Sequence, residues 1–255
     1  MTSLPRTPSL RLDGRRALVS GGTRGIGLGA ATVLAEAGAQ VTICARTQTD
    51  IDTVVAALEA RGLDADGGAL DVTDVAAISA FLDARPAYDI LVNSAGGARH
   101  AGFLDVTEAD YEAVMALNLK STLFVSQGVA KKLIAAGKPG SIIHISSQMG
   151  HVGGPKRTVY AASKFAVEGL TKSMAIELGP HNIRVNTIAP TFVETEMSAT
   201  SLSDPDFRSW VLGKIKLGRL AQVEDIMGPV LLLATDAGAM ITGSTVMVDG
   251  GWTAE

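Results

Sequence analysis

Between Arg16 and Ala37 the chain changes character twice without a linker. A short apolar run, Arg16-Ala17-Leu18-Val19, leads straight into Ser20-Gly21-Gly22-Thr23-Arg24-Gly25-Ile26-Gly27. An alanine-rich helical stretch, Leu28 to Ala37, follows at once. Strand, glycine turn and helix in direct succession make the opening unit of a dinucleotide-binding sheet. Glycines permit the tight turn and let backbone approach a pyrophosphate with no Cβ in the way. The helix start then presents unpaired N–H groups to the anion. Glycine makes up 28 of 255 residues, so a glycine turn alone says little. Its place directly behind the first strand is what carries meaning.

The rest of the chain keeps that rhythm. Strand-length apolar runs lie near 16–20, 40–45, 66–70, 89–93, 141–146, 183–188 and 244–248. Helical patterns lie near 25–37, 50–61, 74–84, 108–137, 158–179, 205–213 and 223–235. Gly38-Ala39 suits the end of the first helix. Thr73-Asp74 and Thr107-Glu108 offer capping side chains. Alternation of this kind predicts an α/β fold with one parallel sheet covered on both faces. We expect a single-domain, doubly wound Rossmann fold of about seven strands over residues 12–255, behind a loose tail over 1–11. In such sheets ligands lie outside the carboxyl ends of the strands. One such end is Leu91-Val92-Asn93-Ser94-Ala95-Gly96, where small residues leave room for a cofactor.

Composition narrows the function. The net charge of −4, with no Lys/Arg run longer than two, argues against general nucleic-acid binding. Lys131-Lys132 reads as a solvated helix face. Cys44 is the only cysteine, so no intrachain disulfide can form, and its apolar strand context reads as an inert core thiol. No apolar run reaches about 18 residues, so no membrane span is expected. The first residues lack a signal-peptide apolar core. A reducing, cytoplasmic setting is the simplest expectation. The four histidines (100, 144, 151, 181) are scattered and predict no metal site.

Tyr160 and Lys164 stand one helical turn apart, thirteen residues after Ser147. They project from one helix face. A nearby ammonium favours the phenolate, so Tyr160 could exchange a proton with an alcohol or carbonyl oxygen. Ser147 would hold that oxygen. Ser146 competes for this role, but adjacent strand residues point to opposite faces. The spacing to Tyr160 selects Ser147. His144, within Ile142-Ile143-His144-Ile145, reads as a satisfied core histidine.

These motifs resemble those of the short-chain dehydrogenase/reductase family. Ser20-Gly21-x-x-x-Gly25-Ile26-Gly27 is similar to its glycine loop, and Asn93-Ser94-Ala95-Gly96 to its Asn-Asn-Ala-Gly signature. Asn118, Ser147, Tyr160 and Lys164 match its catalytic tetrad. The likeness continues through Arg184-Val185-Asn186-Thr187-Ile188-Ala189-Pro190 to Val248-Asp249-Gly250-Gly251. It implies hydride transfer between a nicotinamide and a carbonyl or secondary alcohol. Tyr160 would be the general acid/base. Lys164 would lower the Tyr160 pKa and bind the nicotinamide ribose. Asn118, inside a long helix, would hold a proton-relay water. The implied cofactor contacts are Gly21, Thr23, Arg24, Gly25, Ile26, Gly27, Asp71, Val72, Asn93, Ala95, Gly96, Tyr160, Lys164 and Pro190. Val193 would add its backbone and Thr195 its hydroxyl at the nicotinamide amide.

After the second strand this chain has Ala45-Arg46, where an acid would bind the ribose of NAD and repel a 2′-phosphate. Arg46 and Arg24 suit a phosphate. NADP(H) is therefore the expected cofactor, with NAD(H) possible. The plain alternative for Arg46 is a solvated strand end. Asp71 matches the position that contacts the adenine amine, or else it is a helix-start carboxylate beside Thr73. Thr191 stands where the family usually has glycine, which suggests an altered backbone or a narrower mouth. The irregular stretch 191–220 would be a lid.

Gly97, Arg99, His100, Gln148, His151, Tyr160 and Phe192 are the expected pocket residues, with Ser147. They favour a small polar substrate such as a sugar derivative, polyol or keto acid. A 3-oxoacyl-thioester on a carrier protein is the runner-up and would need a basic docking patch. A non-catalytic NADP(H)-binding sensor is the alternative of another class. The family resemblance also implies a homo-oligomer, commonly a tetramer, built through the helices near 108–137 and 158–179 and the last strand.

Overall fold

The computed structural model describes residues 4–254. Residues 1–3 of the expected tail, and Glu255, lie outside the described residues. Seven parallel strands form one sheet in the order β3-β2-β1-β4-β5-β6-β7. They are β1 (Arg16–Ser20), β2 (Gln40–Ala45), β3 (Ala65–Ala69), β4 (Ile90–Asn93), β5 (Gly140–Ile145), β6 (Ile183–Pro190) and β7 (Thr245–Val248). The helices are α1 (Gly25–Glu36), α2 (Gln48–Glu59), α3 (Val75–Asp83), α4 (Glu108–Met115), α5 (Ser121–Ala135), α6 (Thr158–Leu178), α7 (Glu196–Leu202), α8 (Pro205–Lys214) and α9 (Glu224–Ala234). The α/β, doubly wound reading of the sequence holds.

Helices cover both faces, so the central strands are apolar on both sides. Ala17, Val19, Ile43 and Val92 pack on one face with α1 and α9. Leu18, Cys44, Leu91 and Ile142 pack on the other with α3 and α5. Two elements are less regular than their sequence patterns. β3 carries Gly67 and Gly68 because its neighbours crowd it. A Cβ on Gly67 would lie 2.3 Å from the Ile51 side chain and 2.8 Å from the Ile43 carbonyl. The helix expected over 108–137 is broken by a π-helical turn at Ala116–Lys120 that contains Asn118. Single π turns of this kind recur at functional sites.

The strand order reverses between β1 and β4. That switch point opens a crevice at the carboxyl ends of the strands. The glycine loop leaves β1 there, and Asn93-Ser94-Ala95-Gly96 leaves β4 beside it. The backbones nearly touch: a Cβ on Gly21, which has φ +69°, would meet the Ala95 backbone at 2.9 Å. The stretch 191–220 holds α8, the helix expected near 205–213, and adds α7 in the part expected to be irregular. Thr191 has no left-handed backbone, and its buried hydroxyl has no hydrogen-bond partner among the described residues. No helix among the described residues is long and apolar enough to cross a membrane.

Candidate active site

Four strand ends converge on the crevice. β5 ends at Ile145, and Ser147 follows as the cap of a 3-10 turn, Gln148–Gly150. The Ser147 hydroxyl donates to Gln148 Oε1 (3.0 Å) and accepts from the Met149 N–H (3.1 Å). Ser146 leaves its buried Oγ without a partner. Tyr160 and Lys164 lie on the first two turns of α6. Lys164 is buried, its Nζ donating to the Ile145 carbonyl at 2.9 Å and lying 5.6 Å from the centre of the Tyr160 ring.

The electrostatics correct one expectation. Burial raises the Tyr160 pKa, opposed by a hydrogen bond with Ser147 and by the charge of Arg157. Lys164 is not among the groups that pull it down. Its ammonium is turned to a carbonyl and is itself desolvated, which lowers it to about 8 against an upward pull from Glu168. Tyr160 is thus held as the neutral phenol at neutral pH.

Asn118 is buried in the π turn. Its Oδ1 accepts from the Gly97 N–H (2.9 Å), and its Nδ2 donates to the Gly97 carbonyl (2.9 Å) and to Ser163 Oγ (3.0 Å). Ser163 donates in turn to the Tyr160 carbonyl at 2.7 Å. The amide therefore ties the loop after β4 to α6. Both amide protons are spent in these bonds, while Oδ1 keeps one acceptor site.

Asn93 also differs from expectation. Its side chain turns into the sheet and donates to Ser126 Oγ (2.8 Å). Thr171 Oγ1 donates to the Val167 carbonyl, so it accepts from His144 Nδ1–H at 2.8 Å. His144 Nε2 then accepts from Ser126 at 3.1 Å. This assignment follows from the network. His144 is fully buried and satisfied as the neutral ring, and burial followed by the Lys164 charge lowers it to about 3. Only the backbone of Asn93 faces the crevice end.

No side chain caps α1 and no acid lies in its first turn, so its N–H groups are open to an anion. Thr23, Gly25 and Ile26 line this turn half-buried, and Gly25 packs its backbone near Thr195. Arg46 is exposed at the end of β2 with no hydrogen bond or ion pair among the described residues. Arg24 is paired with Glu196 of α7 at 3.2 Å, both largely exposed. An exposed pair of this kind is worth only about 0–1 kcal/mol and exchanges readily. Asp71 accepts from the Thr73 N–H and hydroxyl through one oxygen, which lowers its pKa. These bonds close the turn ahead of α3, whose cap is Asp74. Val72 is buried in the core, leaving only its backbone to face a ligand. At the end of β6, Pro190 pairs with Val248. The Val193 carbonyl accepts from Ser198 Oγ at 2.6 Å, and Ser198 Oγ also accepts from the Thr195 N–H.

On the substrate side, Gln148 is buried against Ser147. His151 sits 3.3 Å from the buried Glu168, which accepts from Thr187 and Thr245. Arg99 is drawn out of the pocket by Asp110 at 2.8 Å. Phe192 belongs to an aromatic group with Phe207, Trp210 and Trp252, at centroid spacings of 5.4–5.9 Å. Sequence reasoning missed Arg157, Ser163, Glu168, Phe207 and Trp252. Glu168 follows Lys164 by one turn, a spacing that was legible. Arg157 sits in a Lys-Arg pair that looks like solvated surface.

A doubly wound sheet with an open glycine loop at its switch point, and a Tyr-x-x-x-Lys helix facing the same crevice, defines an oxidoreductase of the dinucleotide-binding class. A family profile described as enoyl-(acyl carrier protein) reductase matches residues 21–253. L-xylulose reductase of Bos taurus is 44% identical over 245 residues, covering 96% of this chain and 99% of that protein. Gluconate 5-dehydrogenase of Gluconobacter oxydans is 36% identical, covering 95% and 96%. The crystal structure of a gluconate 5-dehydrogenase from Burkholderia cenocepacia, in complex with NADP and tartrate, superposes with a TM-score of 0.93. It is 39% identical and covers 96% of this chain and 98% of that one. The chain belongs to the short-chain dehydrogenase/reductase family and is an oxidoreductase.

Proposed function

We propose that the protein is an NADP(H)-dependent oxidoreductase interconverting a carbonyl and a secondary alcohol on a small polyhydroxylated substrate. The observation that carries this reading is the convergence of Ser147, Tyr160 and Lys164 beside the glycine loop, at the carboxyl ends of the strands. The open start of α1, with Arg24 and Arg46 and no carboxylate after β2, fits a phosphorylated dinucleotide. When bound, the nicotinamide supplies or takes the hydride. Ser147 would hold the carbonyl oxygen, releasing its proton from Gln148 to do so. Tyr160 would give its phenolic proton to that oxygen. Lys164, fixed by the Ile145 carbonyl, would bind the nicotinamide ribose hydroxyls. Asn118 would act as a positioning residue, tying Gly96-Gly97 to α6. Because burial favours the neutral phenol, reduction suits neutral pH and alcohol oxidation should speed up as pH rises.

Sugar and sugar-acid relatives support a polar substrate. The carrier-protein reading loses its footing, because Lys131 and Lys132 lie near the C-terminus of α5. That end of the sheet is opposite the crevice, and Lys132 is already bonded to the Leu82 and Arg85 carbonyls. A homotetramer and a cytoplasmic location complete the proposal. Phe165 and Ile176, exposed on one face of α6, would be covered by such assembly. The test is Tyr160→Phe, assayed with NADPH against ketoses and keto acids. Turnover should fall at least about 100-fold with NADPH binding retained. Full activity in the variant would rule out the proposed acid/base role.

A further inference from the structure

Arg157 is 93% buried: only 7% of its surface is exposed. Its guanidinium makes no hydrogen bond or ion pair with any described residue, and its nitrogens keep some contact with solvent. Arginine is almost never buried unless paired. The acids that could reach this region are engaged elsewhere. Glu168 accepts from Thr187 and Thr245 through Oε2, and its Oε1 lies 3.3 Å from His151 Nε2. Glu194 meets Arg208 and Gln222, and Glu196 meets Arg24. The guanidinium instead lies over the Phe207 ring, its Cζ 5.4 Å from the centre. Phe207 comes from α8 and packs edge-on against Phe192 at 5.7 Å. Arg157 stands three residues before Tyr160, at the start of α6.

Two more features point the same way. No side chain caps α6, so the first-turn amides of this 21-residue helix add a field that favours an anion. Lys156, directly before Arg157, holds a left-handed backbone (φ 58°) that a non-glycine residue adopts at a cost. The charge of Arg157 is felt by Tyr160 and by His100, placing it on the reacting side of the pocket.

We propose that Arg157 is the receptor for a carboxylate on the substrate, and that it makes sugar acids, rather than neutral sugars, the preferred substrates of this site. The inference rests on the function proposed above. The guanidinium fork matches a carboxylate bidentately. A carboxylate held there leaves the hydroxylated chain of the same molecule to run past Tyr160 and Ser147. Phe207 and Phe192 exclude water around the ion pair, which strengthens it.

The test measures binding by calorimetry on NADP+-loaded protein carrying Tyr160→Phe, so that turnover adds no heat. D-gluconate is compared with D-glucitol, its neutral six-carbon analogue. Gluconate should bind at least about tenfold tighter, a difference of about 1.4 kcal/mol. Adding Arg157→Gln should remove at least about tenfold of that preference. Arg157→Lys, with a charge but no fork, should retain part of it. Cofactor binding and melting temperature verify folding in each variant. If Arg157→Gln does not fold, the Lys variant decides alone: a preference as large as with arginine overturns the assignment. Equal binding of gluconate and glucitol, or a preference untouched by Arg157→Gln, also overturns it. Parallel assays of the parent enzyme separate the two readings. Absence of any NADP(H)-linked turnover would sink the proposed function, while the binding ratio still judges Arg157.

Discussion

Replacing Lys164 with methionine should make the protein more stable and inactive together. Lys164 is 6% exposed, and burial lowers its pKa from 10.5 to about 8, with the attraction of Glu168 already counted. At about 1.36 kcal/mol per pH unit, holding that ammonium in place at neutral pH costs about 3 kcal/mol relative to the unfolded chain. Methionine has similar reach and no charge. It gives up the bond to the Ile145 carbonyl, a loss of about 1–2 kcal/mol. The net gain is about 1–2 kcal/mol at pH 7, or a rise in Tm of about 2–8 °C for a chain of this size. The pH dependence gives a second, sharper signature. Between about 8 and 10.5 the unfolded lysine binds more protons than the folded one. The stability of the parent protein therefore rises with pH across that window. The variant lacks this rise, and its advantage shrinks as pH climbs from 8 to 10.5. Tyr160, whose pKa is raised, contributes to both curves and cancels in their difference. The assay is denaturant unfolding of both proteins from pH 7 to 10. A variant less stable at pH 7, or an offset that does not change with pH, would refute the reasoning. The proposed role of Lys164 would make this cost a case of stability given up for function.

Other outcomes follow from the same geometry. Gly27→Ala would put a Cβ 2.1 Å from the Gly21 carbonyl oxygen and 2.8 Å from its carbon. No side chain can yield there, so the glycine loop must shift, and NADPH affinity measured by fluorescence titration should drop at least about tenfold. Arg46 is exposed and has no hydrogen bond or ion pair among the described residues, though its charge reaches Asp71. Arg46→Ala should leave Tm within about 0.5 kcal/mol of stability and raise the KM for NADPH about tenfold over that for NADH. Equal effects on the two cofactors would count against the phosphate role. Cys44 is fully buried, and burial pushes its thiol up to about 12. A thiol reagent should label it only after global unfolding, so fast labelling of native protein would contradict its core placement.

The sequence by itself determined the architecture and the main site. Periodicity is a local property, and the apolar runs named six of the seven strands to within a residue or so at each end. β6 ran two residues further, because Ala189 and Pro190 pair with β7. The glycine spacing and the Tyr-x-x-x-Lys turn are equally local, since one loop and one helix contain them whole. Partners distant in the chain were not legible. The bonds of Asn118 to Gly97 and Ser163 were hidden until the π turn brought them together. Arg99 and Arg24 looked free until Asp110 and Glu196 reached them. Helix α7 was hidden in a serine-rich stretch that has no apolar face of its own. Arg157 is the clearest case. Its local sequence, Pro-Lys-Arg-Thr, reads as solvated surface. Only the packing of Phe207 from α8, fifty residues on, buries its charge without an acid beside it. Burial and pairing are sums over the whole fold, and no window of sequence contains them.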